Sequence, residues 1–205
     1  MARGLFLTLE GGDGAGKSTQ SALLAAWLRD AGREVVTTRE PGGTELGVEI
    51  RHLVLHRRGH VAPRAEALLY AADRAHHVAT VVRPALERGE VVLQDRYLDS
   101  SVAYQGAGRV LGADEVRDLS LWAVDHLLPD LTILLDLEPS EGRRRMAARE
   151  DAVYDRLEEA PDDFHVRVRE QYLALADAEP ERFLVVDATG SPEHIHAAVR
   201  ERVAA

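Results

Sequence analysis

A phosphate-binding loop near the start of the chain constrains its fold more than any other feature. Residues 11–18 read Gly-Gly-Asp-Gly-Ala-Gly-Lys-Ser, a complete match to the pattern G-x-x-x-x-G-K-S/T. A short apolar run at residues 5–9 precedes the loop, and leucines and alanines recur at helical spacing over residues 18–31. The pattern therefore predicts a strand, a loop whose backbone N–H groups surround phosphate, and a helix whose N-terminus faces the anion.

Lys17 is the only lysine in the chain, which has 24 arginines. Lysine is a compact charge with three rotatable donors, whereas arginine is a planar fork suited to bidentate contacts. We expect Lys17 to reach the β- and γ-phosphates of a nucleotide and the Ser18 hydroxyl to hold Mg²⁺. The nucleotide-binding residues predicted from the loop are Gly11, Gly12, Asp13, Gly14, Ala15, Gly16, Lys17, Ser18 and Thr19.

Composition and charge exclude several classes of protein. The length of 205 residues favours one domain over residues 1–205, and the net charge of −10 argues against a protein that coats nucleic acid. The absence of cysteine excludes disulfides and thiolate metal sites. No apolar stretch approaches the roughly 20 residues that span a bilayer, and no signal peptide is recognisable before the first apolar run. We therefore expect a soluble, cytoplasmic protein.

Five strand-like runs alternate with helical stretches along the chain. They occupy residues 5–9, 34–38, 90–94, 131–137 and 183–186. Continuous apolar runs within them indicate strands buried on both faces, as in a parallel sheet covered by helices. The alternation predicts an α/β fold in which a five-stranded parallel sheet is flanked by helices.

The helical stretches differ in character. Residues 65–86, 112–128 and 192–203 have apolar side chains at helical spacing and are predicted as three helices. Residues 139–163 are rich in arginines and acids and poor in large apolar side chains. We predict that this segment, called the lid below, is a small mobile element at the surface.

Polar and charged residues follow the second and third predicted strands. In open α/β sheets ligands bind beyond the carboxyl ends of the strands, so Arg39, Glu40, Asp95 and Arg96 are candidates for the site. Phosphoryl transfer requires anionic groups to be positioned and neutralised, and arginines suit that task. Asp95 could hold Mg²⁺ directly or through water, with a turn or cap role as the alternative.

These segments together resemble the bacterial type of the thymidylate kinase family. Besides the phosphate loop, the resemblance rests on residues 38–44 (Thr-Arg-Glu-Pro-Gly-Gly-Thr), 95–97 (Asp-Arg-Tyr), 103–106 (Ala-Tyr-Gln-Gly) and 155–158 (Asp-Arg-Leu-Glu). It implies a P-loop NTPase fold and an ATP:dTMP phosphotransferase that uses Mg²⁺ and makes dTDP for dTTP synthesis. It also implies a homodimer, to which Trp122 could contribute an exposed apolar face unless it lies in the core.

The resemblance also implies roles for individual residues on the acceptor side. Arg96 would bridge the acceptor and donor phosphates, which requires a permanently charged fork. Arg39 and Arg51 would clamp the monophosphate. Tyr70 would stack on thymine, although its spacing is equally consistent with core packing, and Arg74 would donate to a carbonyl oxygen of the base.

Five more residues complete the predicted substrate pocket. The family resemblance places Ser101 and Gln105 on the base edge or the phosphate, and Tyr104 where a ribose 2′-hydroxyl would otherwise fit. Glu40 would lie close to the same pocket. Asp13 is an unusual carboxylate within an anion-binding loop, and the resemblance implies that it contacts the deoxyribose 3′-hydroxyl or a magnesium-bound water.

Family members carry a charge-neutralising arginine either in the phosphate loop or in the lid. Gly14 occupies the loop position here, so the resemblance implies an arginine from the lid. Arg149 and Arg156 are the candidates, because they lie in its middle and late parts. Residues 143–145 are also arginines, and we expect them on a solvated helix face.

Three alternative functions stay open at this point. The first is a kinase for another nucleotide or a deoxynucleoside, with the same donor site. The second is a GTPase or regulatory switch, against which stands the absence of an N-K-x-D segment, impossible when Lys17 is the only lysine. The third is a structural module that nucleotide stabilises without turnover.

Overall fold

A parallel sheet forms the centre of the structure, a computed structural model that describes residues 4–57, 59–107, 111–148 and 155–204. Within these residues the strands are β1 (Leu5–Glu10), β2 (Val35–Arg39), β3 (Val91–Asp95), β4 (Leu131–Asp136) and β5 (Phe183–Asp187). Their order is β2-β3-β1-β4-β5, and every neighbouring pair is parallel. The predicted five-stranded α/β fold is confirmed.

Helices cover both faces of this sheet. They are α1 (Lys17–Asp30), α2 (Glu45–Arg51), α3 (Pro63–His77), α4 (Arg83–Glu87), α5 (Leu98–Ser101), α6 (Ala113–Ala123), α7 (Pro139–Ala147), α8 (Asp162–Ala178) and α9 (Pro192–Ala204). In the described ranges, π-helical segments at His52–His56, Val78–Val82 and Val102–Ala107 extend or join them. None of the described helices is long and apolar enough to cross a membrane.

The sequence predicted two of these helices with different bounds. The stretch at 65–86 begins earlier, with Pro63 in the first turn, where its missing N–H is not needed. A π-helical segment at Val78–Val82 then separates α3 from α4. The helix predicted to end at residue 128 ends at Ala123, because Asp125 and His126 both adopt positive φ and turn the chain.

The central strands are apolar on both faces, which explains their continuous hydrophobic runs. Leu7 and Leu9 of β1 pack with α1 and α9 on one face, whereas Phe6 packs with the Val78–Val82 segment on the other. Because β1 lies between β3 and β4, the loop after β1 emerges beside the loop after β3. That adjacency brings the phosphate loop and the residues after Asp95 to one edge of the sheet.

Candidate active site

The phosphate loop between β1 and α1 requires glycine at three positions, one of which is Gly16, with φ of 97°. Gly11 and Gly14 have φ values of 129° and 78°, which side chains rarely tolerate. A Cβ at Gly14 would also collide with the carbonyl oxygen of Gly142 in α7. The lid helix therefore packs directly on the phosphate loop, and this contact explains why residue 14 has no side chain here. Sequence reasoning missed Gly142.

Lys17 is the first residue of α1 and is buried, with 8% of its surface exposed. Its Nζ donates to the carbonyl oxygens of Gly11 at 3.0 Å and Gly12 at 2.8 Å. Burial lowers the pKa of Lys17 and the nearby Arg96 guanidinium adds to that effect. The ammonium is thus held inside the loop that is predicted to surround phosphate.

Arg96 follows β3 and lies across from the phosphate loop. It adopts the left-handed conformation, with φ of 65°, and its N–H donates to Leu9 O at 3.0 Å. Its Nη2 donates to Asp13 Oδ1 at 2.5 Å and to the Tyr104 hydroxyl at 3.2 Å. The guanidinium lies over the Tyr104 ring, 4.9 Å from its centroid. Arg96 therefore joins the phosphate loop to the far wall of the site.

Two nearby cations stabilise the negative charge of Asp13 within the phosphate loop. Burial by itself raises the pKa of this carboxyl, but Arg96 and Lys17 outweigh burial and hold the pKa below its ordinary value. Asp13 is therefore ionised at neutral pH. The unfavourable charge noted in the sequence is compensated by tertiary contacts.

A cleft of about 340 Å³ lies between these groups and collects most of the predicted site residues. Those that line it are Asp13, Gly14, Gly16, Lys17, Ser18, Thr19, Arg39, Glu40, Arg51, Tyr70, Arg74, Asp95, Arg96, Ser101, Tyr104 and Gln105. Gly11, Gly12 and Ala15, the other predicted loop residues, do not line it. One cavity therefore adjoins both the phosphate loop and the residues after β2 and β3.

Arg74 in α3 lies in the floor of the cleft with only 2% of its surface exposed. Its Nε donates to Glu40 Oε2 at 2.7 Å, and its Nη1 donates to the Ser120 hydroxyl at 3.2 Å. Its Nη2 donates to the Ser101 hydroxyl at 3.0 Å and to Tyr97 O at 3.2 Å. The protein itself thus engages much of this guanidinium, and the contact with a base carbonyl stays a prediction.

Glu40 is held from its other side by a histidine that sequence reasoning missed. His77 Nδ1 lies 2.9 Å from Glu40 Oε1, and His77 Nε2 lies 2.7 Å from the Thr38 hydroxyl. Glu40 and His77 are both buried. Glu40 therefore orients Arg74 beneath the cleft. In the sequence the adjacent pair at 76 and 77 lacks metal-ligand spacing and is interpreted as exposed helix histidines, which is wrong for the buried His77.

Tyr70 and Gln105 form a more apolar part of the wall. Tyr70 is 7% exposed and packs with Ile50 and Val54, so it serves as core and as cleft wall at once. Gln105 is buried, and its Nε2 donates to Glu66 Oε1 at 3.0 Å. Glu66 is a further residue that sequence reasoning missed.

Arg156, a predicted catalytic residue of the lid, is not brought to the phosphate loop in this structure. Its Nε and Nη2 donate to Val54 O at 3.1 and 2.8 Å, and its Nη2 also contacts Glu66. The Arg156 side chain therefore connects the end of the lid to the π-helical segment His52–His56 and to Glu66, which accepts a hydrogen bond from Gln105. The phosphate role was predicted from the family resemblance, which implies a lid arginine, and from the position of Arg156 in the late part of the lid.

Three of the other lid arginines pair with acidic side chains near the surface. Arg149 lies outside the described residues. Arg144 and Arg145 lie on α7 and pair with Glu141 at 2.7 and 2.9 Å, and Arg144 is 73% exposed. Arg143 pairs with Asp162. These pairs agree with the predicted solvated helix face.

Asp95 ends β3 opposite the first turn of α1. Its Oδ1 is buried and has no hydrogen-bond partner in the described part of the chain. Ser18 is exposed at the start of α1 and lines the same cleft. A carboxylate oxygen and a hydroxyl beside a phosphate loop suit Mg²⁺, which is typically bound through one or two protein oxygens and substrate phosphates. The donor set therefore fits this ion.

Sequence reasoning also missed two residues behind Arg96. Glu10 is the last residue of β1, and Tyr172 lies in α8, yet the two side chains are hydrogen-bonded at 2.8 Å. The signal for Glu10 was an acid at the end of an apolar strand. Nothing in the local pattern indicated Tyr172.

The comparisons with known proteins agree with this geometry. A family model described as thymidylate kinase matches residues 9–199. The thymidylate kinase of Clavibacter michiganensis subsp. michiganensis is 71% identical over 202 residues, covering 98% of this chain and 95% of the relative. That of Bifidobacterium longum is 55% identical over 204 residues, covering 98% and 97%.

A solved structure agrees as well. The thymidylate kinase from Ehrlichia chaffeensis has a TM-score of 0.79 and 30% identity to this chain, with 98% of this chain and 99% of that protein covered. The resemblance predicted from the motifs is confirmed. On its fold, its phosphate loop and these relatives, the chain belongs to the thymidylate kinase family.

Proposed function

We propose that this chain is a cytoplasmic ATP:dTMP phosphotransferase, which makes dTDP and ADP for dTTP synthesis. The observation that carries the proposal is the position of Arg96, which contacts Asp13 of the phosphate loop and borders the cleft beyond it. A cation at that junction can neutralise a donor and an acceptor phosphate together. The relatives named thymidylate kinase support dTMP as the acceptor.

The donor side follows from the loop and α1. Phosphates of ATP would accept hydrogen bonds from the loop N–H groups and from Lys17. Bound Mg²⁺ would neutralise phosphate charge, and Ser18 and Asp95 are the residues proposed to hold it. Because an acceptor phosphate oxygen is already anionic, the proposed reaction needs no general base from the protein.

The acceptor side begins with two arginines at the mouth of the cleft. Arg39 ends β2 and is exposed, and Arg51 Nη1 donates to Pro41 O at 3.0 Å. Both side chains lie beside Gly42. We assign them to the dTMP phosphate, with Arg96 facing it from the opposite wall. Tyr70, Ser101, Tyr104 and Gln105 then enclose the nucleoside.

The proposal predicts that ATP turnover depends on the acceptor. ADP release should be measured with dTMP, with each other common nucleoside monophosphate, with thymidine, and with no acceptor. We expect fast turnover with dTMP and little hydrolysis without it, because charge neutralisation around the transferred group is complete only when both substrates are bound. Equal rates with and without dTMP would refute a transferase, and a preference for another acceptor would reassign the substrate.

The proposed assembly is a homodimer, supported by exposed apolar side chains on adjacent helices. Trp122 of α6 is 78% exposed and Leu68 of α3 is 57% exposed. Leu46 and Val48 of α2 are 43% and 54% exposed, and α3 packs against both α2 and α6. Sedimentation of the wild type and of Trp122→Glu tests this: we expect a dimer that the charge converts to a monomer. A wild-type monomer would reject the assembly.

A further inference from the structure

Glu10 is a fully buried carboxylate that the proposed reaction does not use directly. It ends β1, immediately before the phosphate loop. Its Oε1 accepts a hydrogen bond from the backbone N–H of Tyr97 at 2.7 Å. Its Oε2 accepts from the hydroxyls of Ser100 at 2.6 Å and Tyr172 at 2.8 Å. Glu10 therefore binds the loop after β3 and helix α8 at the same time.

The two hydroxyls that contact Glu10 also contact Arg96. Arg96 Nη1 donates to Ser100 Oγ at 3.2 Å and to the Tyr172 hydroxyl at 3.3 Å. A guanidinium can only donate, and each hydroxyl has a single proton. While Glu10 is ionised, the hydrogen bonds therefore run from the guanidinium through the hydroxyls to the carboxylate. Because the two hydroxyls also lie 2.8 Å apart, either both donate to Glu10 or one donates to the other. An acceptor at residue 10 sets that direction.

The backbone of Arg96 depends on the same neighbourhood. A non-glycine residue with φ of 65° persists only where surrounding contacts hold it. Gln94 Nε2 donates to Arg96 O at 2.9 Å, and Glu10 holds the N–H of the following residue, Tyr97. Glu10 thus restrains both ends of Arg96: the peptide after it and the guanidinium.

Packing alone does not account for Glu10, because its carboxyl group is buried near a second acidic side chain. Asp99 of α5 faces it and is itself neutralised by Arg182, whose Nη1 and Nη2 lie 2.7 and 3.0 Å from the Asp99 carboxylate. Burial and Asp99 raise the pKa of Glu10 to about 7, while Arg96 and the hydrogen bonds from Ser100 and Tyr97 act in the opposite sense. A buried acid of this kind needs a reason beyond filling space.

We propose that Glu10 is a positioning residue for Arg96, which it holds at the junction of the donor and acceptor sites through Ser100 and Tyr172. The inference rests on the proposed bridging role of Arg96. A guanidinium fixed before the substrates bind costs no reorganisation during the reaction. A displacement of about 1 Å at such a group can lower the rate on the order of 100-fold.

Glu10→Gln tests the proposal with little change in shape, in assays above pH 7, where Glu10 is ionised. The new amide nitrogen would donate to the Ser100 and Tyr172 hydroxyls and compete with Arg96 for their lone pairs. We expect kcat to fall roughly 10- to 100-fold while KM for ATP changes by less than about threefold, because Arg96 acts in the transition state. A purely structural residue would lower thermal stability without this separation of kcat from KM.

A matched pair of tyrosine variants isolates the hydroxyl. Tyr172→Phe removes a buried hydroxyl that contacts Arg96, whereas Tyr97→Phe removes a hydroxyl that donates to Leu127 O at 3.1 Å instead. We expect Tyr172→Phe to lower kcat several-fold more than Tyr97→Phe. The double variant Glu10→Gln/Tyr172→Phe should lose little beyond Glu10→Gln alone, because both changes act on one network.

Each possible result supports or overturns the positioning role of Glu10. A folded Glu10→Gln enzyme with wild-type kcat, or equal kcat in the two tyrosine variants, would overturn the positioning role. If Glu10→Gln fails to fold, the tyrosine pair decides. Arg96→Ala separates the two proposals: if it stays active, the bridging role of Arg96 fails, and if it alone is inactive, only the positioning role of Glu10 fails.

Discussion

Four arginines line this cleft, and two of them, Arg74 and Arg96, differ most clearly in their surroundings. Arg74 is 2% exposed, and its partners include the Glu40 carboxylate and a backbone carbonyl. The Arg96 side chain is 19% exposed, has a strained backbone, and contacts hydroxyls and the Asp13 carboxylate. Arg74 therefore resembles part of the scaffold, whereas Arg96 has the exposure and preorganisation of a reactive group.

Removing each arginine in turn is the most direct test of this difference between Arg74 and Arg96. We expect Arg96→Ala to lower kcat by about 10³-fold or more, the magnitude typical of arginines that neutralise a transferred phosphoryl group. The melting temperature should fall less than in Arg74→Ala, because the Asp13 carboxylate left without Arg96 is 22% exposed whereas Glu40 is 2% exposed, and the affinity for ATP should change little. Steady-state kinetics, thermal unfolding and ATP titration check this. A variant that loses its fold instead would show that Arg96 is scaffold.

Arg74→Ala should have the opposite signature. It would leave Glu40 buried without its cation, a change that costs about 3–5 kcal/mol of folding free energy. Urea unfolding at neutral pH measures that loss. Arg74→Ala/Glu40→Ala, which removes both charges, is the matched control and should recover part of the stability. If Arg74→Ala folds as well as wild type but fails to bind dTMP, Arg74 is a ligand-binding group first.

The Glu10 carboxylate behind Arg96 adds a pH dependence to stability. Its pKa of about 7 in the folded protein is raised above the ordinary value of 4.5. A raised carboxyl pKa means that the folded state holds its proton more tightly. This contribution to stability is therefore present below about pH 4.5 and is lost as pH rises through 7, by on the order of 3 kcal/mol. Unfolding free energies of wild type and Glu10→Gln between pH 5 and 8 check this, and identical slopes would contradict it.

The smallest expected effect concerns Arg156, which contacts neither of the two arginines. Because it holds Glu66, the partner of Gln105, Arg156→Ala should raise KM for dTMP roughly 10-fold, as expected for the loss of a charged hydrogen bond, with kcat largely kept. Arg156→Lys is the control that keeps the charge. A fall in kcat with unchanged KM would instead support the phosphate role implied by the family resemblance.

The local elements of this fold were accessible from the sequence. The strand predicted at 131–137 is observed as Leu131–Asp136, and the helix at 192–203 as Pro192–Ala204. Apolar runs and helical spacing are local signals, so they suffice for such elements. The π-helical segment at Val78–Val82 was not predicted, because its apolar pattern looks like a continuing helix.

The candidate site was accessible only in part. Residues in short contiguous motifs, such as Lys17 and Arg96, were identified, and the structure gathers them at one sheet edge. Residues that act through distant contacts were missed: Glu10 and Tyr172 are 162 positions apart. Arg156 was assigned by its position in the lid, whereas its contacts are with Val54 and Glu66.

The strand–loop–helix that binds phosphate, the α/β class and the family were all predictable from the amino-acid sequence, because each rests on contiguous patterns. The surroundings of each charge became visible only in the folded structure: cations compensate Asp13, Arg74 is buried in a pair with Glu40, and Glu10 contacts the hydroxyls that hold Arg96. Hydrogen bonds of about 3 Å depend on where the folded chain places its segments, and no local pattern encodes that distance.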